Sequence, residues 1–358
     1  MRVLLLPSVP YEPLWRLHAA GDAPKPTVSQ ELLRDHGIVT DSIDPGTDWK
    51  NPFGRMHPFF RAFDPLRLLR VLVARRDYDL VISGNDGVAA ALVAARGVFR
   101  FRAPIVIWDF SPAIGWRIRE RAQNLTIPHL DGIIALNEIQ RPYIAERWGA
   151  HVKVSVPGHW IDTEFYQPEP FPPDGPILSV GDDSGRDYPT LLRALEGLNE
   201  RILIKTGLPL GLDPAKHAQV TPLRQRLTAR AFRDLYARSR FVIVPLQPDT
   251  RNASGISAIL ESGAMGKAVI VSDSDGIREF VRHEETGLVV PARDPAALRA
   301  AIGRLLHDPA LTARLGLGGR RFIERTAAIP VFAGRLAAAY RSFALPHRHA
   351  PAGPGHDG

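Results

Sequence analysis

Residues 252–281 read NASGISAILESGAMGKAVIVSDSDGIREFV, and this stretch decides the fold. It opens on a Ser254-Gly255 turn and runs into a short helix. Ile256, Ile259, Leu260 and Gly263 recur at i, i+3, i+4 and i+7, which is one face of that helix. Ser254, Ser257, Ala258 and Glu261 take the other face, small and polar apart from one carboxylate. Gly266 is placed to end the helix in a left-handed conformation. Residues 268–271, AVIV, then read as a short buried strand. A turn over 272–276 leads into 277–281. Backbone N–H groups at a helix start can hold a phosphate. A carboxylate only accepts hydrogen bonds, so Glu261 suits the paired hydroxyls of a ribose. An ordinary helix–strand unit with a solvated Glu261 has the same pattern.

On the amino-terminal side, apolar runs at 2–6, 79–83, 104–108, 132–136 and 152–156 predict strands. Helical patterns at 29–37, 64–76, 87–98 and 138–148 fall between them. In 64–76, Leu66, Leu69 and Val73 share one face. Residues 7–21 and 41–58 read as loops, the first rich in proline and aromatics. A Pro-rich segment, 157–176, interrupts the alternation, which restarts with strands at 177–180, 201–205 and 241–245 and helices at 187–198 and 228–238. Helices follow at 295–306, 311–325 and 330–343. The repetition predicts two Rossmann-like α/β domains rather than one large sheet. Neither half has Gly-x-Gly-x-x-Gly, which counts against a dinucleotide oxidoreductase.

The central stretch resembles the carboxy-terminal signature of the family-four retaining glycosyltransferases, the glycosyl transferases group 1. In that pattern a Glu is followed after seven residues by a second Glu, then a small-residue helix end and a Gly-x-Pro-Val-Ile strand. Glu261 matches the second Glu, and residues 266–270, GKAVI, match the strand. Gly276 and Glu279 match the next Gly-x-x-Glu, and TGLVVP at 286–291 matches the Thr-Gly-x-x-Val-Pro turn. Trp160 to Phe165 is similar to the family's interdomain Val-Asp-Thr-x-x-Phe, with one extra residue after Pro157. Three positions depart: Ala253 stands for the first Glu, Pro7 to Tyr11 for the family's Gly pair, and Trp108-Asp109 for its His-Asp.

The resemblance implies a GT-B fold, α/β, with two Rossmann-like domains facing a central cleft and a carboxy-terminal helix crossing back to the first. The boundaries expected are an acceptor-side domain at 1–157, a linker at 158–176 and a nucleotide-sugar domain at 177–327. The crossing helix is then 328–345, and 346–358 is a disordered tail whose His347, His349 and His356 are not expected to hold a metal. The implied activity moves a sugar from a nucleoside-diphosphate donor to an acceptor hydroxyl, retaining the anomeric configuration. The departing phosphate oxygen would then help deprotonate the acceptor. Arg186, in GDDSGRDYP, resembles the basic residue the family sets against the diphosphate; Asp182 stands where most members have Arg, so Lys205 is its expected companion. With Asp109 on the acceptor side, these are the candidate catalytic residues. Ser254, Gly255, Ile256, Glu261, Gly276 and Glu279 are the candidate donor-binding set. Asp273-Ser274-Asp275 spells Asp-x-Asp, a metal motif of another glycosyltransferase fold, yet its place after a strand gives it an ordinary turn role. No metal and no cofactor are expected.

The totals fit this picture. The 358 residues suffice for two domains, and 45% hydrophobic against 23% charged is a normal soluble composition. With no cysteine, thiolate chemistry and disulfides are excluded and a reducing, cytoplasmic setting is expected. No apolar run reaches the ~18–20 residues of a membrane span, and residues 1–6 are too short for a signal peptide. A net charge of +7 favours anionic partners. Aromatics mixed with Arg at 59–76 and 116–121 also suit peripheral contact with an anionic lipid surface. The expected partners are the donor and a glycan, lipid-linked sugar or small natural-product hydroxyl; nucleic acid is not expected. The rival readings are a GT-B relative of another class, such as a sugar-nucleotide epimerase or a phosphorylase, and a non-catalytic nucleotide- or lipid-binding protein.

Overall fold

The computed structural model describes residues 1–26, 30–45, 65–74, 78–99, 102–108, 117–169, 172–249 and 254–344. The first half builds a six-stranded sheet from β1 (Arg2–Leu6), β2 (Val39–Ser42), β3 (Leu80–Ser83), β4 (Ile105–Trp108), β5 (Gly132–Ile134) and β6 (Val154–Ser155). Its order is β2-β1-β3-β4-β5-β6, and every pair is parallel. The second half does the same with β7 (Ile177–Val180), β8 (Ile202–Lys205), β9 (Val220–Leu223), β10 (Val242–Val244), β11 (Val269–Ser272) and β12 (Leu288–Val290). Here the order is β12-β11-β10-β7-β8-β9, again all parallel.

The inner strands β3, β4, β7, β10 and β11 are rich in Val, Ile and Leu and buried along their length, as a parallel sheet covered on both faces demands, while the edge strands β2, β6 and β9 are partly exposed. The helices of the first half are α1 (Tyr11–Ala19), α2 (Gln30–Arg34), α3 (Pro65–Ala74), α4 (Asp86–Phe99), α5 (Arg117–Thr126) and α6 (Gln140–Trp148). The second half has α7 (Tyr188–Leu195), α8 (Ala229–Ala237), α9 (Ile256–Ala264), α10 (Pro295–His307) and α11 (Pro309–Thr326). The chain then returns through α12 (Ile329–Phe343). Phe332, Leu336, Tyr340 and Phe343 of α12 share one core with Val3, Leu5, Ile82 and Val106 of the first sheet. The approach is close: a Cβ on Gly132 would lie 2.0 Å from the Phe343 ring. The outgoing chain runs beside the returning one, with the Ile161 N–H donating to the Ala327 carbonyl at 2.8 Å. Two Rossmann-like sheets and a helix crossing back make the GT-B arrangement that the resemblance implies.

Several local expectations change. The proline-rich stretch taken as loop contains α1. Pro10 caps it with extended dihedrals and Pro13 lies in its first turn, where a missing N–H costs nothing. No residue of α1 is buried, so no apolar face announces it. Residues 39–42, at the edge of the other expected loop, are β2, and β9 had no expected strand. In α3, Leu69 and Val73 are 57% and 76% exposed, whereas Val71 and Leu72 enter the core with Arg67. The tail at 346–358 lies outside the described residues.

Candidate functional site

The second sheet reads β9-β8-β7-β10-β11-β12, so the chain reverses its direction of travel between β7 and β10. Ligands of such sheets bind beyond the carboxyl ends of the strands at that switch point. Two loops meet there. The loop after β7, residues 181–187, pairs with the loop after β10. Arg186 bridges Leu246, the Gln247 N–H donates to the Gly185 carbonyl at 2.8 Å, and the Asp187 N–H donates to the Pro245 carbonyl at 3.0 Å. Asp187 also caps α7, its carboxylate accepting from the Thr190 N–H.

Arg186 lies under this loop, 8% exposed. Its guanidinium packs against Gly181, where an added Cβ would fall 2.0 Å from Nε. Nε donates to the Asp183 carboxylate at 2.9 Å. The Nη1 group is buried with no hydrogen-bond partner among the described residues. A buried guanidinium with an idle donor is costly unless something else accepts from it. Ser254, just before α9, donates through its hydroxyl to the same Asp183 carboxylate. Gly255 follows at φ +78°, and a Cβ there would meet Val244 at 2.8 Å, so glycine lets the start of α9 come down onto β10. Ile256 is buried and anchors the first turn.

Glu261 stands further along α9. The Tyr236 hydroxyl donates to its Oε2 at 2.5 Å and the Tyr166 hydroxyl to its Oε1 at 3.3 Å. Burial pushes its carboxyl up to about 7; the two tyrosine hydrogen bonds and the Arg186 charge act the other way. Glu261 is partly exposed, and each oxygen keeps a second lone pair. The face it shares is narrower than the sequence suggests: Ser254 and Ala258 are buried and Ser257 is exposed. Lys205, at the end of β8, is nearly buried, with Nζ 3.9 Å from the Asp182 carboxylate, which in turn accepts from the Gly207 N–H.

The structure therefore gathers Arg186, Ser254, Gly255, Ile256 and Glu261 at the switch point, with Lys205 on the next strand. Gly276 and Glu279 lie on the loop after β11, which the Asp275 N–H ties to the Pro248 carbonyl at 3.2 Å, and they also reach the first half. Gly276, at φ +75°, starts a 3-10 turn and faces the first half, where an added Cβ would lie 3.2 Å from Ile139. The Glu279 carboxyl is raised by burial and by the Glu138 charge, and lowered by the Glu138 backbone amide. Both residues thus form a contact across the cleft. Asp273 is taken by Arg278, at 3.1 and 2.5 Å. Among the described residues no three His, Asp or Glu are grouped to hold a metal. Asp109 and Ala253 lie outside the described residues. Sequence reasoning missed Tyr166, Tyr236 and Asp183. The tyrosines reach Glu261 from 95 and 25 positions away, which no local spacing reveals.

The family described as Glycosyl transferases group 1 matches residues 191–308. A putative glycosyltransferase, EpsD, of Bacillus subtilis is 31% identical over 297 residues, covering 72% of this chain and 77% of the relative. The chain belongs to the group 1 glycosyl transferases. Another member, the D-inositol 3-phosphate glycosyltransferase of Streptomyces bingchenggensis, is 32% identical over 141 residues, 36% of this chain and 30% of the relative. Against that and other curated relatives the chain spans about a third of their length. In fold, this group 1 glycosyl transferase chain is similar to sucrose-phosphate synthase from Thermosynechococcus elongatus. The TM-score is 0.68 at 20% identity, over 96% of this chain and 99% of that one. As a group 1 member, the chain carries its matched segment on α7 to α10, the part of the fold that holds Lys205, the start of α9 and Glu261.

Proposed function

We propose that this chain transfers a sugar from a nucleoside-diphosphate donor to an acceptor hydroxyl with retention of anomeric configuration. The observation that carries it is the idle, buried Nη1 of Arg186 at the switch point, beside the start of α9. A diphosphate supplies the acceptor that this donor lacks, and charge growing on the leaving phosphate is what such a site must stabilise. The helix-start amides add neutral donors. Glu261 then takes the ribose hydroxyls with its remaining lone pairs. Lys205 supports the diphosphate from β8. Fixed cations and backbone donors perform the task that a divalent ion performs elsewhere, so no metal is required. Asp109, next in sequence after β4, is the acceptor-side residue. The resemblance supports retention, with the departing phosphate oxygen assisting the acceptor's deprotonation. A thermal-shift screen with nucleoside diphosphates tests the site, since a ligand of the folded state raises the midpoint. Release of nucleoside diphosphate from a sugar donor only when an acceptor is present supports transfer; release without acceptor favours an epimerase or hydrolytic relative.

A second observation supports a lipid-linked acceptor. Among the described residues no helix is long and apolar enough to cross a membrane. Yet the exposed surface of the first half includes Leu17 of α1, Leu69 and Val73 of α3, and Ile118 and Leu125 of α5, helices that also carry arginines. This surface suits peripheral contact with anionic lipid and a lipid-linked acceptor. Co-sedimentation with vesicles containing anionic lipid, lost in high salt, is the expected result.

A further inference from the structure

The diphosphate site is not empty of negative charge. Asp183 places one carboxylate against three donors: Arg186 Nε at 2.9 Å, the Gly185 N–H at 3.1 Å and the Ser254 hydroxyl. Of these, Arg186 is assigned above to the donor's phosphates, and Ser254 belongs to the candidate donor-binding set. Asp183 itself is 45% exposed, whereas the Arg186 side chain is 5% exposed, so the carboxylate lies on the open side of the guanidinium. The neighbouring Asp182 stands in the same relation to Lys205, at 3.9 Å. Both cations of the site are thus faced by carboxylates of one loop, and yet Arg186 still has an unanswered donor at Nη1. A carboxylate and a phosphate oxygen ask for the same charge-assisted hydrogen bonds. Two anions cannot share that space without strong repulsion.

We infer that the Asp183 carboxylate holds the place of a phosphate oxygen in the unliganded protein, and that a nucleoside diphosphate binds by displacing it from Arg186 and Ser254. This rests on the diphosphate reading proposed above. Asp183 keeps the loop ordered and the buried guanidinium paired while the site waits. It also sets a threshold: a singly charged or weakly basic anion does not outcompete a carboxylate tethered three residues away, whereas a diphosphate with several oxygens does. Asp183 is therefore a specificity-determining residue that discriminates by ligand charge.

The test uses inorganic pyrophosphate, which carries only the group this loop reads, and calorimetric titration of the full chain in the presence of chelator. Asp183→Asn is the informative variant. Its amide oxygen still accepts from Ser254 and Gly185, while its N–H meets Arg186 Nε donor to donor and leaves the guanidinium unclaimed. Pyrophosphate is expected to bind Asp183→Asn about tenfold more tightly than wild type, a difference of about 1.4 kcal/mol. Asp183→Ala, checked for an intact melting transition, is expected to shift in the same direction. In the Arg186→Ala background the Asp183→Asn gain should vanish. Unchanged or weaker binding by both folded Asp183 variants, with Arg186→Ala still weakening pyrophosphate, overturns the displacement and leaves the diphosphate site standing. If Arg186→Ala leaves pyrophosphate binding untouched, the diphosphate site itself is wrong and the displacement goes with it.

Discussion

The molecule has two switch points, one per sheet, and each has a buried arginine beside it. In the first sheet the reversal lies between β1 and β3. There Arg67 donates Nε to the Ile43 carbonyl and Nη2 to the Pro7 carbonyl, both at 2.8 Å. The loops it holds are packed tightly: the Gly84 N–H donates to the Leu6 carbonyl at 2.9 Å, and a Cβ on Gly84 would lie 3.3 Å from Ser8 N. In the second sheet Arg186 gives one bond to a carboxylate of its own loop and keeps Nη1 unanswered. Burial of both side chains, 2% and 8% exposed, thus conceals different roles. An arginine satisfied by main-chain carbonyls holds a fold together. An arginine paired with an exchangeable carboxylate is prepared for an anion from outside.

The comparison breaks most visibly at the arginines. Arg186→Ala should weaken nucleoside diphosphate by about 30- to 100-fold, the loss of charge-assisted hydrogen bonds, with a much smaller effect on the free nucleoside. Arg67→Ala should leave that affinity within about twofold and instead lower stability by about 2–4 kcal/mol, because two buried carbonyls lose their donors. Calorimetric titration and denaturant melts of both variants read this out. Equal loss of diphosphate and nucleoside in Arg186→Ala, or a diphosphate loss in Arg67→Ala, would erase the distinction.

Glu261→Gln sharpens the ribose end of the same site. It should cost about tenfold in nucleoside-diphosphate affinity, less than Glu261→Ala, because the amide retains one acceptor. A 2′,3′-dideoxy nucleotide should bind wild type weakly and be nearly indifferent to either change. Loss of both nucleotides alike would instead mark a packing defect in the Tyr166–Glu261–Tyr236 cluster.

Glu261 also predicts a pH signature. Its carboxyl rises from 4.5 to about 7 on folding, chiefly by desolvation. Between those values the folded protein binds more protons than the unfolded chain, so this group's contribution to stability falls as pH rises. The melting temperature of Glu261→Gln relative to wild type should climb from pH 4.5 to 7 and level off above it. A difference that is flat or declines across that window would contradict the desolvated carboxylate. Smallest of all, Gly276→Ala should cost about 1 kcal/mol in a denaturant melt, through its left-handed backbone and its approach to Ile139.

How much of this was legible in the sequence follows from which interactions are local. The α/β alternation and the apolar stripe of α9 are periodicities of buried faces, so two sheets and the helix bearing Glu261 could be read directly. Helix α1 could not, since none of its residues is buried and periodicity had nothing to record. The shared face of Leu69 and Val73 on α3 was legible, but not that it turns outward while Val71 and Leu72 take the core. Arg186 could be nominated from its loop, but its carboxylate neighbour becomes informative only once Ser254, 71 positions away, is seen on the other oxygen of that carboxylate. The contact of Gly276 and Glu279 with the first half depends on where that half lies, a tertiary fact with no signature in residues 272–281.

The most direct test is a crystal structure of the chain with a bound nucleoside diphosphate. The result predicted places a phosphate oxygen about 3 Å from Arg186 Nη1, the ribose hydroxyls on Glu261, and Asp183 released from Arg186. A nucleotide bound elsewhere, with the Asp183–Arg186 pair intact and Nη1 still unanswered, would contradict it.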